Sequence, residues 1–178
     1  EFIDGVKALS MQSPPLGNKV LIVTNGGGFG VIAADHCTEN GLDVPPPSPQ
    51  LKEKLRGSFS GYYVVNNPID LTGSASDNDY HIALRACMVE SDEYDAAIII
   101  PLMAPQGMTE RVVDLISDTM TASGKPAIIC TVGGTFTMKV KLLFEERNLP
   151  VYPSPERCVK ALSMLLKRKR LKDGVMHA

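Results

Sequence analysis

Apolar and polar positions along the chain alternate between two periods. Short, almost wholly apolar runs ("KVLIVT" at 19–24, "AAIII" at 96–100 and "KPAIICTV" at 125–132) read as strands covered on both faces. "LPVY" at 149–152 reads as a further short strand, and Leu42 to Val44 as a strand candidate cut off by Pro45, Pro46 and Pro47. Between these runs the apolar spacing turns helical. The predicted helices cover about 30–39, 48–59, 77–92, 109–122, 139–147 and 154–170.

Local signals set several boundaries. Asn40-Gly41 stops the first helix of the series with residues that tolerate left-handed geometry. Ser48-Pro49 and Ser154-Pro155 each place an N-cap before a proline suited to the first helical position, and Ser76 or Asp77 caps the helix carrying Tyr80, Leu84 and Cys87 or Met88 on one face. Strands that alternate with helices imply βαβ units and a parallel sheet. The expected fold is therefore α/β: a flavodoxin-like, doubly wound parallel sheet of about five strands with helices on both faces. The ends read differently. Residues 1–16 look like the end of an upstream helix and a Pro-containing linker, 17–166 form the domain, and 167–178 form a basic tail or linker containing "KRKRLK". We expect the chain to be a piece of something larger.

Composition narrows the function classes. The 178 residues are 44% hydrophobic, enough for one core, and a formal charge of −2 gives no general attraction to nucleic acid or anionic membrane. Any anion site must be local. Cys37, Cys87, Cys130 and Cys158 form no Cys-x-x-Cys pair and no Cys/His cluster, so a metal site is not expected and a reducing cytoplasm is the simplest setting. No apolar run approaches the roughly 18 residues that a membrane span needs.

Chemistry concentrates in two loops. After the first strand, Asn25, Gly26, Gly27, Gly28, Phe29 and Gly30 lead into a helix. Glycine suits a turn whose backbone approaches a ligand or takes positive φ, and the unpaired N–H groups of the helix start favour a phosphate or carboxylate. The spacing is neither that of a dinucleotide loop nor of a Walker loop, which lowers the case for a nucleoside triphosphate. The competing reading is that these glycines merely permit close strand-to-helix packing. The second loop, "NNPIDLTGSASDNDY", places Asn67, Asp70, Thr72 and Gly73 where they can order the first; Asp70 would accept backbone N–H groups rather than act as an acid or base. An ordinary helix-leading loop is the alternative. Asp35 and His36 read as surface residues.

Four segments, "VTNGGGFGVIAAD", "NPIDLTGSA", "KPAIICTVGG" and "LPVYPSPERCVKAL", occur in an order that resembles the succinyl-CoA-synthetase-like flavodoxin domain of ADP-forming acyl-CoA (acetyl-CoA) synthetases. The resemblance runs from Gly17 to about Leu166. In that family a histidine on another domain carries phosphate between an acyl-CoA site and a nucleotide site, and helix amino termini from two related domains stabilise the phosphohistidine. The resemblance implies that this chain is the domain without the histidine, with Asn25 to Gly30 as the phosphate cradle and Asn67, Asp70, Thr72 and Gly73 as its support. It implies no catalytic residue, no metal and no cofactor held by this chain alone. CoA, ADP/ATP and Mg would belong to the parent enzyme, and the partners would be its CoA-binding, phosphohistidine and ATP-grasp domains or subunit. His36, His81 and His177 fit no phosphohistidine loop. Phe29 stands where the family commonly has proline. Two other classes compete with this reading: a non-catalytic synthetase-like region of an acyl-CoA-dependent lysine acetyltransferase, and a free-standing flavodoxin-like binding module.

Overall fold

The computed structural model describes residues 2–59 and 62–176; Glu1, Ser60, Gly61, His177 and Ala178 lie outside the described residues. The strands are β1 (Val20–Thr24), β2 (Ile69–Asp70), β3 (Ala96–Ile100), β4 (Ala127–Cys130) and β5 (Val151–Tyr152). They form one parallel sheet in the order β2-β1-β3-β4-β5. The helices are α1 (Phe2–Met11), α2 (Gly27–Glu39), α3 (Pro49–Ser58), α4 (Asp77–Leu84), α5 (Arg111–Ser123), α6 (Thr135–Glu146) and α7 (Pro155–Met176).

Alternation along the strands builds two cores. Leu21, Val23, Ala97, Ile99 and Ile129 point to the face covered by α3 to α6, while Val20, Ile22, Ile98, Ile100 and Ile128 point to the face covered by α1, α2 and α7. This is the doubly wound sheet that the apolar runs predict. All four cysteines are buried free thiols; burial pushes those of Cys37 and Cys87 up to about 12, so they behave as small apolar side chains. No described helix is long and apolar enough to cross a membrane.

The predicted caps at Ser48 and Ser154 are present: their hydroxyls accept from Leu51 N–H (3.2 Å) and Arg157 N–H (3.4 Å). At Ser76 the carboxylate of Asp79 accepts both the backbone N–H (2.8 Å) and the hydroxyl (2.7 Å). Other expectations need correction. Leu42 to Val44 contributes only an isolated bridge between Lys19 and Asp43, and the edge strand is Ile69–Asp70, in a segment read from sequence as mostly loop. Its pairing is partly made by a side chain. The Asn67 amide accepts from Ile22 N–H (2.9 Å) and donates to Val20 O (2.8 Å) and Pro45 O (3.0 Å), so it extends the ladder along β1 where no strand lies. The Asn67–Pro68 peptide is cis.

Helices α2 and α6 begin three and four residues earlier than their apolar periodicity suggests, because first-turn residues need no partner four positions back. The helix predicted over 77–92 is α4 followed by a π-helical turn, Arg85–Val89, and α7 continues through the basic run to Met176. α1 packs on α7: Arg157 grips Asp4 with two hydrogen bonds (2.8 and 2.5 Å), and Tyr152 Oη donates to Asp4 O (2.7 Å).

Candidate functional site

The carboxyl ends of all five strands open on one rim, and strand order reverses between β1 and β3, where open α/β sheets bind ligands. The glycine turn leaves β1 at that point. Thr24 Oγ1 accepts from Gly26 N–H (3.0 Å) and donates to Gly26 O (3.1 Å), which closes the turn on itself. Asn25 is buried. Its amide donates to Leu102 O (2.9 Å) and accepts from Leu102 N–H (2.8 Å), clamping the loop after β1 to the loop after β3. The side chain of Asn25 is thus engaged inside the protein and leaves its backbone at the rim.

Gly26 is the N-cap of α2, with φ −136° and ψ 91° and no side-chain cap. Its carbonyl accepts from Phe29 N–H (2.9 Å) and Gly30 N–H (3.4 Å). The N–H groups of Gly27 and Gly28 find no acceptor among the described residues. They sit at the positive end of a 13-residue helix, the arrangement that attracts anions.

None of these four glycines has positive φ, which corrects one reason given for their presence. Close approach explains three of them. A Cβ on Gly26 would overlap Leu102 Cδ1, one on Gly27 would overlap the Asp70 carboxylate, and one on Gly30 would lie 3.0 Å from Thr24 Cγ2 and 3.1 Å from Pro68 Cβ. Gly28 differs. A Cβ there would meet no atom within 4 Å, so packing gives no reason for its absence. Phe29 turns its ring inward against the α7-side core, half-buried beside Leu102.

The second loop lies alongside. Asp70 accepts Thr72 N–H at Oδ1 (2.8 Å), while Oδ2 rests against Gly27. It therefore touches the turn by contact, with no hydrogen bond to residues 25–30 among the described ones. Thr72, rather than Gly73, takes the left-handed conformation (φ 54°), and its hydroxyl lies 2.9 Å from Ser74 Oγ. Gly73 is exposed with open space around it. Asn67 acts a step away, through the β1 ladder.

Several residues that sequence reasoning missed fix the rim. Asp77 accepts Thr109 N–H (2.8 Å) and the Thr109 hydroxyl, Thr131 Oγ1 donates to Pro101 O (2.8 Å), and Tyr80 Oη donates to Ile100 O (2.8 Å). Burial pushes the Tyr80 phenol well above its ordinary value, so it stays a neutral donor. His36 pairs with Glu39 of its own helix and His81 with Thr119 of α5, each away from the glycine turn in their contacts. Among the described residues no group of three His, Cys, Asp or Glu side chains is placed to hold a metal ion.

Comparison with known proteins fits this geometry to a family. The model of the Ligase-CoA domain matches residues 20–171. The chain belongs to that family. It is 33% identical over 177 residues to the acetate–CoA ligase [ADP-forming] I subunit alpha of Pyrococcus furiosus, covering 97% of this chain and 37% of that protein. Against the acetate–CoA ligase [ADP-forming] of Methanocaldococcus jannaschii the identity is 28%, over 97% of this chain and 25% of that protein. Among solved structures, the dinucleotide-forming acetyl-coenzyme A synthetase 1 of Ca. Korarchaeum cryptofilum in complex with phosphate and ADP superposes with a TM-score of 0.86 at 29% identity. That match covers 98% of this chain and 38% of the other. The chain thus spans between a quarter and two fifths of the length of these relatives, and this Ligase-CoA domain is homologous to part of ADP-forming acyl-CoA ligases.

Proposed function

We propose that this Ligase-CoA domain works inside an ADP-forming acyl-CoA synthetase, which converts acyl-CoA, ADP and phosphate to carboxylate, ATP and CoA. Its part is electrostatic. The amino terminus of α2 receives the phosphoryl group of a phosphohistidine that another domain supplies, and Asn25 to Gly30 form the cradle. One observation carries this reading: at the strand-order reversal the N–H groups of Gly27 and Gly28 have no acceptor among the described residues, and of the four glycines of the turn Gly28 alone would meet no atom if it bore a Cβ. Asn25 and Asp70 hold the backbone of the cradle from either side, and Asn67, Thr72 and Gly73 shape the loop behind Asp70. The activities by which the relatives are known support the parent reaction. CoA, ADP/ATP and Mg would be held by the CoA-binding, phosphohistidine and ATP-grasp domains or subunit, so the chain by itself would turn over nothing.

Fixed donors aimed at developing negative charge contribute strongly because they need no reorganisation during the reaction. In the intact synthetase, Gly28→Val is expected to slow phosphoryl transfer about a hundredfold, the scale of losing one such donor. The same substitution in the 178-residue chain should leave Tm nearly unchanged, since the side chain enters empty space. Wild-type phosphoryl transfer in that variant would overturn the cradle.

A further inference from the structure

The sheet has a second rim, at the amino ends of its strands. There the last turns of α5, the segment leading into β4 and the turn between α6 and β5 border a cavity of about 200 Å³. Ser117, Thr121, Lys125, Arg147 and Asn148 give it polar walls, and Met120 and Leu149 an apolar one. Gln12, just after α1, ties two of these sides together: its amide donates to Asn148 O (2.6 Å) and accepts from the N–H of Ala127, the first residue of β4 (2.9 Å). The walls are thus braced by the fold itself.

Two observations call for a ligand. Ser117 is 5% exposed, and its hydroxyl is the one buried side-chain polar atom without a hydrogen-bond partner among the described residues. Native folds rarely leave a buried hydroxyl unpaired, because its desolvation is then uncompensated. Charge is the second. The lining carries two cations, Lys125 and Arg147, and no carboxylate. Lys125 is largely buried, donates to Ser91 O (2.9 Å) and reaches Asp92 at 3.4 Å; Arg147 holds Asp114 at 2.6 Å and lies 3.9 Å from Asp118. All three carboxylates are exposed, where water weakens their pull, and each cation keeps N–H groups unused among the described residues.

We propose that this cavity binds a small hydroxylated phosphate monoester. Ammonium and guanidinium groups only donate, and the Ser117 and Thr121 hydroxyls are free to donate as well, so the walls suit a ligand rich in acceptor oxygens. Two cations match a dianion, and both side chains serve phosphoryl oxygens well. A bare phosphate would leave much of the cavity, and its apolar wall of Met120 and Leu149, to water; a short ester lays its carbon chain there and offers its hydroxyls to Thr121 and Asn148. A nucleotide is too large. The site shares no residue with the glycine turn of α2 and lies on the opposite rim, so the proposal does not rest on the phosphoryl reading of that turn.

The test is an amide-shift titration of the 178-residue chain with glycerol 3-phosphate, inorganic phosphate and glycerol in parallel. Expected are saturable shifts at Ser117, Thr121, Lys125 and residues 147–149 with glycerol 3-phosphate, weaker binding of inorganic phosphate, and no shifts with glycerol. Ser117→Ala should weaken glycerol 3-phosphate about fivefold, the worth of one neutral hydrogen bond, and Lys125→Gln about tenfold, that of a charge-assisted one. Tm should be unchanged in Ser117→Ala, since no bond within the fold is lost. Arg147→Gln reads the same charge effect from an exposed side chain, should the Lys125 variant not fold. Shifts that do not saturate, inorganic phosphate binding as tightly as the ester, unchanged affinity in Ser117→Ala, or a clear fall in its Tm would each overturn the site. Any shifts at residues 26–30 belong to the α2 cradle and should persist in the Ser117 and Lys125 variants.

Discussion

Two glycine turns on one rim use the same residue for different reasons. In the turn after β1, three glycines let Leu102, Asp70, Thr24 and Pro68 approach the backbone, and Asn25 clamps the whole to the next loop. In the turn after β4, Gly133 takes positive φ against the Thr137 side chain, and no side-chain clamp like that of Asn25 holds Gly133 or Gly134 among the described residues. The first turn is built rigidly around one open position, Gly28. The second is built around a cavity. What surrounds the missing Cβ, rather than the number of glycines, separates a packing role from a binding one.

Four measurements sharpen or break that contrast. Asn25→Ala leaves Leu102 N–H and O without their partner and should cost about 3 kcal/mol in denaturant unfolding. A loss under about 1 kcal/mol would show that the first turn is not clamped as described. Next, Gly26→Ala should destabilise by about 2 kcal/mol because its methyl meets Leu102, whereas Gly28→Ala should stabilise by roughly 0.5 kcal/mol through reduced backbone freedom. Equal effects at the two positions would erase the distinction drawn between them.

Acid tests the support of the second turn. Tyr152, which lines its cavity, donates to Asp4 O, and hydrogen bonding to Arg157 holds the Asp4 carboxyl below its ordinary value. A carboxyl depressed in the folded state stabilises the fold above the unfolded value, near pH 4, and loses that contribution as pH falls through the folded one. The stability difference between wild type and Asp4→Asn should therefore be about 1 kcal/mol at neutral pH and shrink below pH 4. A difference that stays constant down to pH 2 would remove the ion pair from the account. Smallest of all, Thr137→Val should change unfolding free energy by less than about 0.5 kcal/mol, since the hydroxyl has no hydrogen-bond partner among the described residues and is not sealed from solvent. A loss above about 1 kcal/mol would mean that the hydroxyl is satisfied within the fold.

Much of the architecture was legible because buried parallel strands must be continuously apolar, and β1, β3 and β4 are. The edge strand was not. Ile69–Asp70 is two residues long, and the ladder beside it is completed by the Asn67 amide, which no hydrophobic pattern reveals. The glycine turn and the loop from Asn67 to Gly73 stood out as unusual chemistry, but the clamp of Asn25 on Leu102 could not be seen, because its partner lies 77 positions away. The first turn of α6 was missed, since its periodic signal begins only at Lys139.

The sequence by itself determined the doubly wound sheet, the position of the glycine turn at a strand end, and membership of a family whose motifs lie in order along the chain. These are local or periodic properties, carried by neighbouring residues. Only the tertiary structure decided which glycine of the first turn faces open space and which first-turn N–H groups lack acceptors among the described residues. Each depends on atoms brought from distant parts of the chain, and burial and hydrogen-bond satisfaction exist only once those parts have met.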